Sequence, residues 1–407
     1  HLRRLGPCPI GGDRVRAALA ESGLRGRGGA RFPTSVKWEA VAARARGRAV
    51  VVVNAAEGEP GSWKDQLLLG LRPHLVLDGA VLAAQSVGAS DVVLYVGADF
   101  QAAWSAAETA LGERAADRRW QVPGRARGVR TRLVTAPARY VAGEETAAVA
   151  LLNGGEAKPT LTPPRPFERG VGGRPTLVQN VETLALVALI ARFGAEWFRG
   201  AGTVESPGTT LLTVRGAVSS PGVLEVPHGV SLADAVDRAA GRPEQAVGVL
   251  LGGYFGTWVP GRWAAALPLD DRALAGARAS LGCGVIAVLP EHVCGVAETS
   301  RVFGYLARES AQQCGPCRVG LPALAGVLAD VATGRATAEH ADRLRRWTAQ
   351  LAGGRGACKH PDGAVGFLRS AMDVFVEDFE NHLRLRPCRR AHSEGTLPLP
   401  SPPRGEG

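Results

Sequence analysis

Lysine is almost absent from this chain: it stands only at positions 37, 64, 158 and 359, so nearly all of the 48 basic residues are arginine. A formal net charge of +10 invites a nucleic-acid reading. That reading needs a basic stripe interleaved with stacking rings. Aromatic residues make up only 5% of the chain, and the arginines are scattered in modest clusters such as "GERAADRRW" and "GRARGVRTR". No nucleic-acid partner is expected. Long apolar runs are also missing. The nearest, "TLALVALIARF", is far short of the roughly eighteen residues of a spanning helix, so the chain has no transmembrane segment of its own. Seven cysteines at irregular spacing, with no secretory signal before them, exclude a disulfide framework and point to a reducing, cytoplasmic setting. A first residue of His1 reads as a fragment or a processed frame.

The 407 residues exceed what one core can hold, and 45% apolar with 21% charged is ordinary for a globular protein. Along the chain, a glycine-rich stretch "ESGLRGRGGAR" precedes "RAVVVVNAAEGEPGSWKDQ", a buried strand that runs into an acidic turn. Helical periodicity over "DQLLLGLRPHLVLDGAVLAAQSVGA", a strand at "DVVLYVGA", a helix over "FQAAWSAAETALGERAA" and a strand over "VRTRLVTAP" complete a β-α-β-α-β alternation. Such alternation implies parallel strands in an α/β layer, with ligands outside the strands' carboxyl ends. Near 205 the pattern changes to short strands, a turn at Ser219–Gly222 and a helix begun by Ser231, a small α+β module. From Ala297 onward helices dominate, over 297–311, 317–331, 337–352 and 362–383. No repeat at a fixed period is apparent. The resulting plan is 1–204, 205–292, 293–386 and a Pro-, Gly- and Ser-rich disordered tail over 387–407.

Three constellations carry chemistry. In the first, Gly23, Gly26, Gly28 and Gly29 let backbone N–H groups approach an anion, with Arg25, Arg27 and Lys37 adding positive charge, which suits a phosphate. It is not the G-x-G-x-x-G pattern of ordinary dinucleotide folds. The same glycines also serve a purely structural loop. In the second, "NAAEGEP" sets Asn54, Glu57 and Glu59 where a strand ends, while "YVAGEETAAVALL" offers Tyr140, Gly143, Glu144 and Glu145 at a helix start. These acids suit ribose hydroxyls or a flavin edge, and equally a solvated turn or a helix-dipole match. The third is Cys314 and Cys317 in C-x-x-C spacing with Cys358 further on. Three thiolates fall one short of an ordinary zinc or cubane iron–sulfur site. A C-x-x-C among helices is also poorly placed for dithiol redox chemistry, and inert buried thiols remain open.

Together, "SGLRGRGGARFPTSVKW", "VVNAAEGEPGSWKD", "YVAGEETAAVALLNG" and "RPTLVQNVETLA" follow the order and spacing of one family. The chain resembles, over about residues 20–385, the flavin-bearing NADH-binding subunit of respiratory complex I, with relatives in NAD-linked hydrogenases and formate dehydrogenases. The resemblance implies an α/β Rossmann-like flavin domain, a β-grasp (ubiquitin-like) module and an all-α four-helix iron–sulfur domain. It implies FMN phosphate and ribityl contacts on Gly26, Arg27, Gly28, Gly29, Ala30, Lys37 and Asn180, with Thr183 near. Asn54, Glu57 and Glu59 would line the flavin and nicotinamide side. Tyr140, Gly143, Glu144 and Glu145 would border the isoalloxazine ring, and Phe32 would stack on adenine. Glu57, Glu59 and Tyr140 are the catalytic candidates. The implied activity is hydride transfer from NADH or NADPH to FMN, then single electrons to an iron–sulfur cluster and on to other redox subunits or a ferredoxin-type acceptor. Partner subunits would in that case hold the chain at the inner face of the cell membrane.

The chain departs from the family pattern in clusters. Arg31 and Ser35 replace glycines, and an arginine at 31 would either fill the nicotinamide nucleotide's space or recruit an anion such as a 2′-phosphate. Ala40 replaces an aromatic, Thr162 and Arg165 replace the first and fourth residues of K-P-P-F-P, Ala56 replaces an acid, and Gln179 replaces one amide of a neighbouring pair. In the segment E-S-C-G-x-C-x-P-C-R-x-G, Ala311 and Gln312 replace the first cysteine and the glycine. The metal ligands are therefore Cys314, Cys317 and Cys358. They would hold a 3Fe-4S cluster, or a 4Fe-4S cluster completed by Ser310, Cys294, water or a partner, with zinc as another occupant. Cys8, Cys283 and Cys388 are given no role. The opposing reading is a degenerate, non-catalytic paralogue that keeps the fold for binding or scaffolding.

Overall fold

A computed structural model describes residues 1–117, 129–242, 245–386, 388, 390 and 395–400. The four-valine run becomes β1 (Ala49–Ala55), buried at nearly every position. A continuous apolar strand of this kind needs cover on both faces, which a parallel sheet supplies. With β2 (Ala89–Gly97), β3 (Arg130–Ala136) and β4 (Thr176–Asn180) it forms a parallel sheet of order β3-β2-β1-β4. The register pairs Asn54 with Asn180, so two asparagines end side by side at the carboxyl edge. β4 is short and lies inside "RPTLVQNVETLA", a stretch whose alternation is too brief to announce a strand. Leu19, Trp38, Val41, Leu82 and Leu184 pack on one face of the sheet. Val50, Val52, Val93 and Tyr95 meet Ala148, Val149 and Val171 on the other.

The continuous helical pattern over 65–89 splits in two. Helices Lys64–Leu71 and Pro73–Val87 meet at 98°, because Pro73 cannot donate into the first helix and instead starts the second. At Gly79 this second helix lies against Val181–Arg199, where any Cβ would fall within 1.9 Å of the Leu184 carbonyl oxygen. Among the described residues, no single helix is long and apolar enough to cross a membrane. The bent pair passes on length and composition, and its second helix is largely buried in the core.

The second module is a mixed sheet of β5 (Thr209–Gly216), β6 (Gly222–Pro227), β7 (Ala246–Leu251), β8 (Thr257–Pro260) and β9 (Val285–Pro290), in the order β6-β5-β9-β7-β8. Ser231 caps helix Leu232–Asp237, as its sequence position predicts, accepting from the Asp234 N–H at 3.1 Å. One face of the sheet closes a small core with Leu232, Val236 and Leu274. The other presents Leu250, Trp258, Val285 and Leu289 to the helical part, joining Phe303, Leu324, Phe367 and Phe379 in one core. The helices are Gly295–Arg308, Leu321–Ala332, Ala338–Leu351, His360–Val374 and Val376–Leu383, so the pattern over 362–383 breaks at Phe375.

The tail expected to be disordered is tied down where it is described. Leu397 is buried, its N–H donates to Glu298 Oε1 at 2.6 Å, and the Pro398 carbonyl accepts from the Tyr254 hydroxyl. Leu397 and Leu399 pack on the core, and three backbone hydrogen bonds, the third from Arg301 to the Leu397 carbonyl, hold this stretch despite its composition. The rest of the expected tail, at 387, 389, 391–394 and 401–407, lies outside the described residues.

Candidate functional site

The glycine loop lies over the carboxyl ends of β1 and β4. A Cβ on Gly28 would stand 3.2 Å from Asn180 Cβ, and Gly29 takes φ +114°, a conformation side chains rarely adopt. Among the described residues, the N–H groups of Gly28, Gly29 and Ala30 donate to no protein acceptor. Consecutive free N–H groups on a glycine loop form an anion-binding concavity. Lys37 reaches the same mouth from helix Thr34–Ala45 and pairs with Glu145 at 2.8 Å. Asn54 Nδ2 donates to the Gly143 carbonyl at 2.8 Å, tying the end of β1 to the Tyr140–Gly143 turn.

Several predicted ligand residues instead build the frame beneath. Arg27 is buried: its N–H donates to Thr183 Oγ1 at 2.9 Å and its guanidinium donates to the Thr209 carbonyl at 3.0 Å. Its charge faces Glu182, so Arg27 anchors the loop from within and offers the phosphate no guanidinium. The Asn180 side chain is engaged at both its oxygen and its nitrogen. Its oxygen caps helix Val181–Arg199 through the N–H groups of Glu182 and Thr183, and its nitrogen donates to Asp65 at 2.6 Å. Glu57, at φ +38°, turns inward to accept from Ser62 Oγ (2.6 Å) and the N–H groups of Asp65 (2.9 Å) and Gln66 (3.0 Å). It caps helix Lys64–Leu71 from outside that helix. The carboxylate is thus engaged by one hydroxyl and two backbone N–H groups. Burial, with Asp65 adding to it, pushes the Glu57 carboxyl up to about 7 against the pull of Lys64. Glu144 does the same for helix Glu145–Leu152, accepting from the N–H groups of Thr146 (2.8 Å) and Ala147 (3.0 Å). At the centre, fully buried Lys64 bridges Asp65 and Glu182, each at 2.9 Å.

Arg31 goes the same way. Its guanidinium pairs with Asp271 of the second module, which Arg25 also approaches at 3.5 Å. The Arg31–Asp271 ion pair joins the first module to the second. Phe32 stays about half exposed at the rim.

Opposite the loop, Tyr140 connects three parts of the molecule. Its hydroxyl donates to Glu59 Oε2 at 3.1 Å, its N–H donates to Glu309 at 3.1 Å, and its ring meets Phe255, His360 and Tyr305 edge-on at 4.8, 5.7 and 6.1 Å. Glu59 also accepts from the Tyr254 N–H at 2.8 Å and the Gly61 N–H at 3.3 Å. Burial outweighs these donors and pushes its carboxyl up to about 7. Gly58 is needed here, because a Cβ would lie 2.5 Å from the Tyr140 carbonyl oxygen.

His360 stands two residues beyond Cys358 and holds the Leu306 carbonyl at 2.7 Å through Nε2. Burial pulls its imidazole down to about 4. Sequence reading missed His360, Glu309, Tyr254 and the Lys64–Asp65–Glu182 triad. "ACKH" and "ESAQQC" flank the cysteines and held the signal for His360 and Glu309; the others are adjacent only in space.

Cys314, Cys317 and Cys358 share one basin at the entry to helices Pro316–Gly320 and His360–Val374. Burial first, and then the neighbouring Cys314 and Cys358, push the Cys317 thiol up to about 12, while Ser310 opposes the shift by hydrogen bonding to it. Burial alone would also raise Cys314, but hydrogen bonds from the Ala357 and Cys317 N–H groups and the Cys317 thiol hold it below its ordinary value. Ala311 is buried, and Gln312 takes φ +57°, the conformation a glycine would prefer. Its amide donates to Ser310 Oγ at 2.8 Å. Among the described residues, the one trio of metal-ligating atoms within 4.8 Å of one another is Cys294, His382 and Cys388. In the basin, Cys314 and Cys317 lie within hydrogen-bond reach of each other, and the three thiols do not all fall within 4.8 Å of one another. Cys294 lies with His382, outside the three-cysteine basin, and is no candidate for its fourth ligand.

The free N–H groups fit a flavin phosphate, and thiolates are the ligand type that iron–sulfur clusters take. Comparison with known proteins agrees. Residues 19–189 match the Nuo51 FMN-binding domain, 211–251 the SLBB domain, and 297–382 the NADH-ubiquinone oxidoreductase-F iron-sulfur binding region. The chain is 33% identical over 382 residues to an NADH-quinone oxidoreductase subunit of Rhizobium meliloti (strain 1021), covering 92% of this chain and 90% of the relative. It is also 33% identical to an NADH-quinone oxidoreductase subunit of Streptomyces coelicolor, over 92% of this chain and 84% of that one. Among solved structures, an NAD+-reducing [NiFe]-hydrogenase in the air-oxidised state superposes with a TM-score of 0.81 at 33% identity. The match covers 91% of this chain but only 63% of the hydrogenase chain.

Proposed function

The chain belongs to the family of NADH-quinone oxidoreductase subunits that carry the Nuo51 FMN-binding domain, NADH dehydrogenase-type proteins that use FMN and iron–sulfur, and from that premise we propose how its own residues divide the task. FMN, when bound, supplies hydride acceptance and one-electron release. The N–H groups of Gly28, Gly29 and Ala30 hold the phosphate, and Lys37 adds charge from the rim. Asn54, Gly143 and Glu145 border the ring. Arg27, Thr183, Asn180, Glu144 and Glu57 are positioning residues, because their polar atoms are engaged by the protein itself. Glu59 retains a proton near neutrality in its buried setting, within hydrogen-bond reach of Tyr140. Tyr140 and His360 close the passage to the cysteine basin and exclude water from it.

Cys314, Cys317 and Cys358 hold the cluster, with the Ser310 hydroxyl hydrogen-bonded to Cys317 beside it. The Rossmann-like, β-grasp and four-helix descriptions, with boundaries at 204, 292 and 386, are the finer reading of the three parts. The acceptor is another redox protein of the same complex or a ferredoxin-type protein, met in the cytoplasm. One observation carries this scheme: Tyr140 contacts Glu59 on the flavin side and His360 on the cysteine side.

The test is anaerobic reconstitution with FMN, iron and sulfide, desalting, and a visible spectrum before and after NADH. Flavin bands that bleach over a broad iron–sulfur shoulder are the expected result. Neither chromophore would leave a degenerate scaffold as the correct reading. Flavin without reduction would shift the donor away from NADH.

A further inference from the structure

A second set of metal-ligating side chains lies outside the cysteine basin. Cys294 is the N-cap residue of helix Gly295–Arg308, and His382 is near the end of Val376–Leu383; both are buried. Beyond that helix the chain turns back, with Leu385 at φ +52° and the Arg386 N–H donating to the Asn381 carbonyl at 2.9 Å. This reversal returns Cys388 to the other two, and an Arg390–Asp378 pair at 2.7 Å secures it. Cys294 Sγ and His382 Nε2 are 3.3 Å apart, and all three ligand atoms lie within 4.8 Å of one another.

We propose that Cys294, His382 and Cys388 form a zinc site that clamps the C-terminal tail to the helical domain. The donor set is two thiolates and one imidazole, the borderline-soft ligands that zinc prefers. Ligands on zinc stand about 3.5–3.8 Å apart, close to the spacing already present. The second nitrogen of His382 faces the Val331 carbonyl at 3.0 Å. That contact holds N–H at Nδ1 and turns the Nε2 lone pair toward the cysteines, the arrangement usual for metal-bound histidine. A thiol–imidazole hydrogen bond accounts for Cys294 and His382 alone; it does not account for the chain reversal that adds Cys388. Binding releases the two thiol protons and leaves a fourth position for water. The consequence lies downstream, where residues 395–400 pass Glu298, Arg301 and Tyr254. Tyr254 in turn donates its N–H to Glu59, so the clamp secures a wall of the candidate flavin site.

The test is zinc content and X-ray absorption of the full chain, purified anaerobically without chelators. The expected result is about one zinc per chain with two sulfur neighbours. It should persist in the Cys314→Ser/Cys317→Ser/Cys358→Ser variant and fall at least tenfold in occupancy in Cys388→Ser and in His382→Gln. Cys388→Ser changes only the tail, so the folded bundle remains available for the measurement. Zinc that disappears from the triple variant but survives in Cys388→Ser would overturn the proposal, because the metal would then belong to the basin. So would a zinc-free protein in which Cys294 and Cys388 are free thiols or joined as a disulfide.

Discussion

The proposed flavin mouth and the cysteine basin lie on either side of Tyr140, and they are built from different groups. At the mouth, the groups proposed to face the anion are backbone N–H of Gly28, Gly29 and Ala30. Side chains can vary while such a loop holds its shape, provided the residues under it support it. Here Arg27, Thr183, Asn180, Asp65 and Lys64 form one connected frame. In the basin the binding atoms are themselves side chains. Replacing one cysteine there would remove a ligand outright, and no backbone group can replace a thiolate. A site defined by main chain tolerates substitution around it, whereas a site defined by ligands loses a whole bond at a time.

The largest expected effect comes from Cys317→Ser. It leaves two thiolates, so bound iron should be lost almost completely while flavin content is unchanged, as measured by iron assay and flavin absorbance. Loss of flavin with it would mean that the two regions are not separable. Next is Lys64→Met, which strips compensation from buried Asp65 and Glu182. Breaking such a pair costs about 3–5 kcal/mol, seen as a shift in the denaturant midpoint, and flavin affinity should fall because Asn180 loses its anchor. Third is the pH profile. The Glu59 carboxyl is raised from 4.5 to about 7 in the folded state, chiefly by burial. Folding therefore favours the protonated form, and stability falls as pH rises from about 4.5 to 7, by at most ~3 kcal/mol. Glu59→Gln should flatten that slope; an unchanged slope would assign it to Glu57. The smallest effect is Gly28→Ala, whose methyl presses on Asn180. It should weaken flavin binding about tenfold, ~1.4 kcal/mol, with iron content untouched.

Much of this was legible in the sequence because it is local. The valine run had to be a buried strand, Ser231 had to start a helix, and C-x-x-C with Cys358 marked the basin. The partners of Glu57 were not legible, for a physical reason. A carboxylate in a glycine-punctuated turn looks solvated and reactive until a helix, begun seven residues later, is found to direct its N–H groups at it. The Arg31–Asp271 pair and the Cys294–His382–Cys388 group join residues from separate modules or distant turns, and no spacing announces them.

The sequence by itself therefore determined the elements, the glycine loop and the count of three basin thiolates, since each follows from neighbours along the chain. The tertiary structure alone decided which polar groups remain free to act. Burial and partner choice depend on residues brought together from far apart: Asn180, Arg27 and Glu57 bond within the protein, Tyr140 is tied to Glu59 and Glu309, and three backbone N–H groups of the glycine loop are left without a protein acceptor.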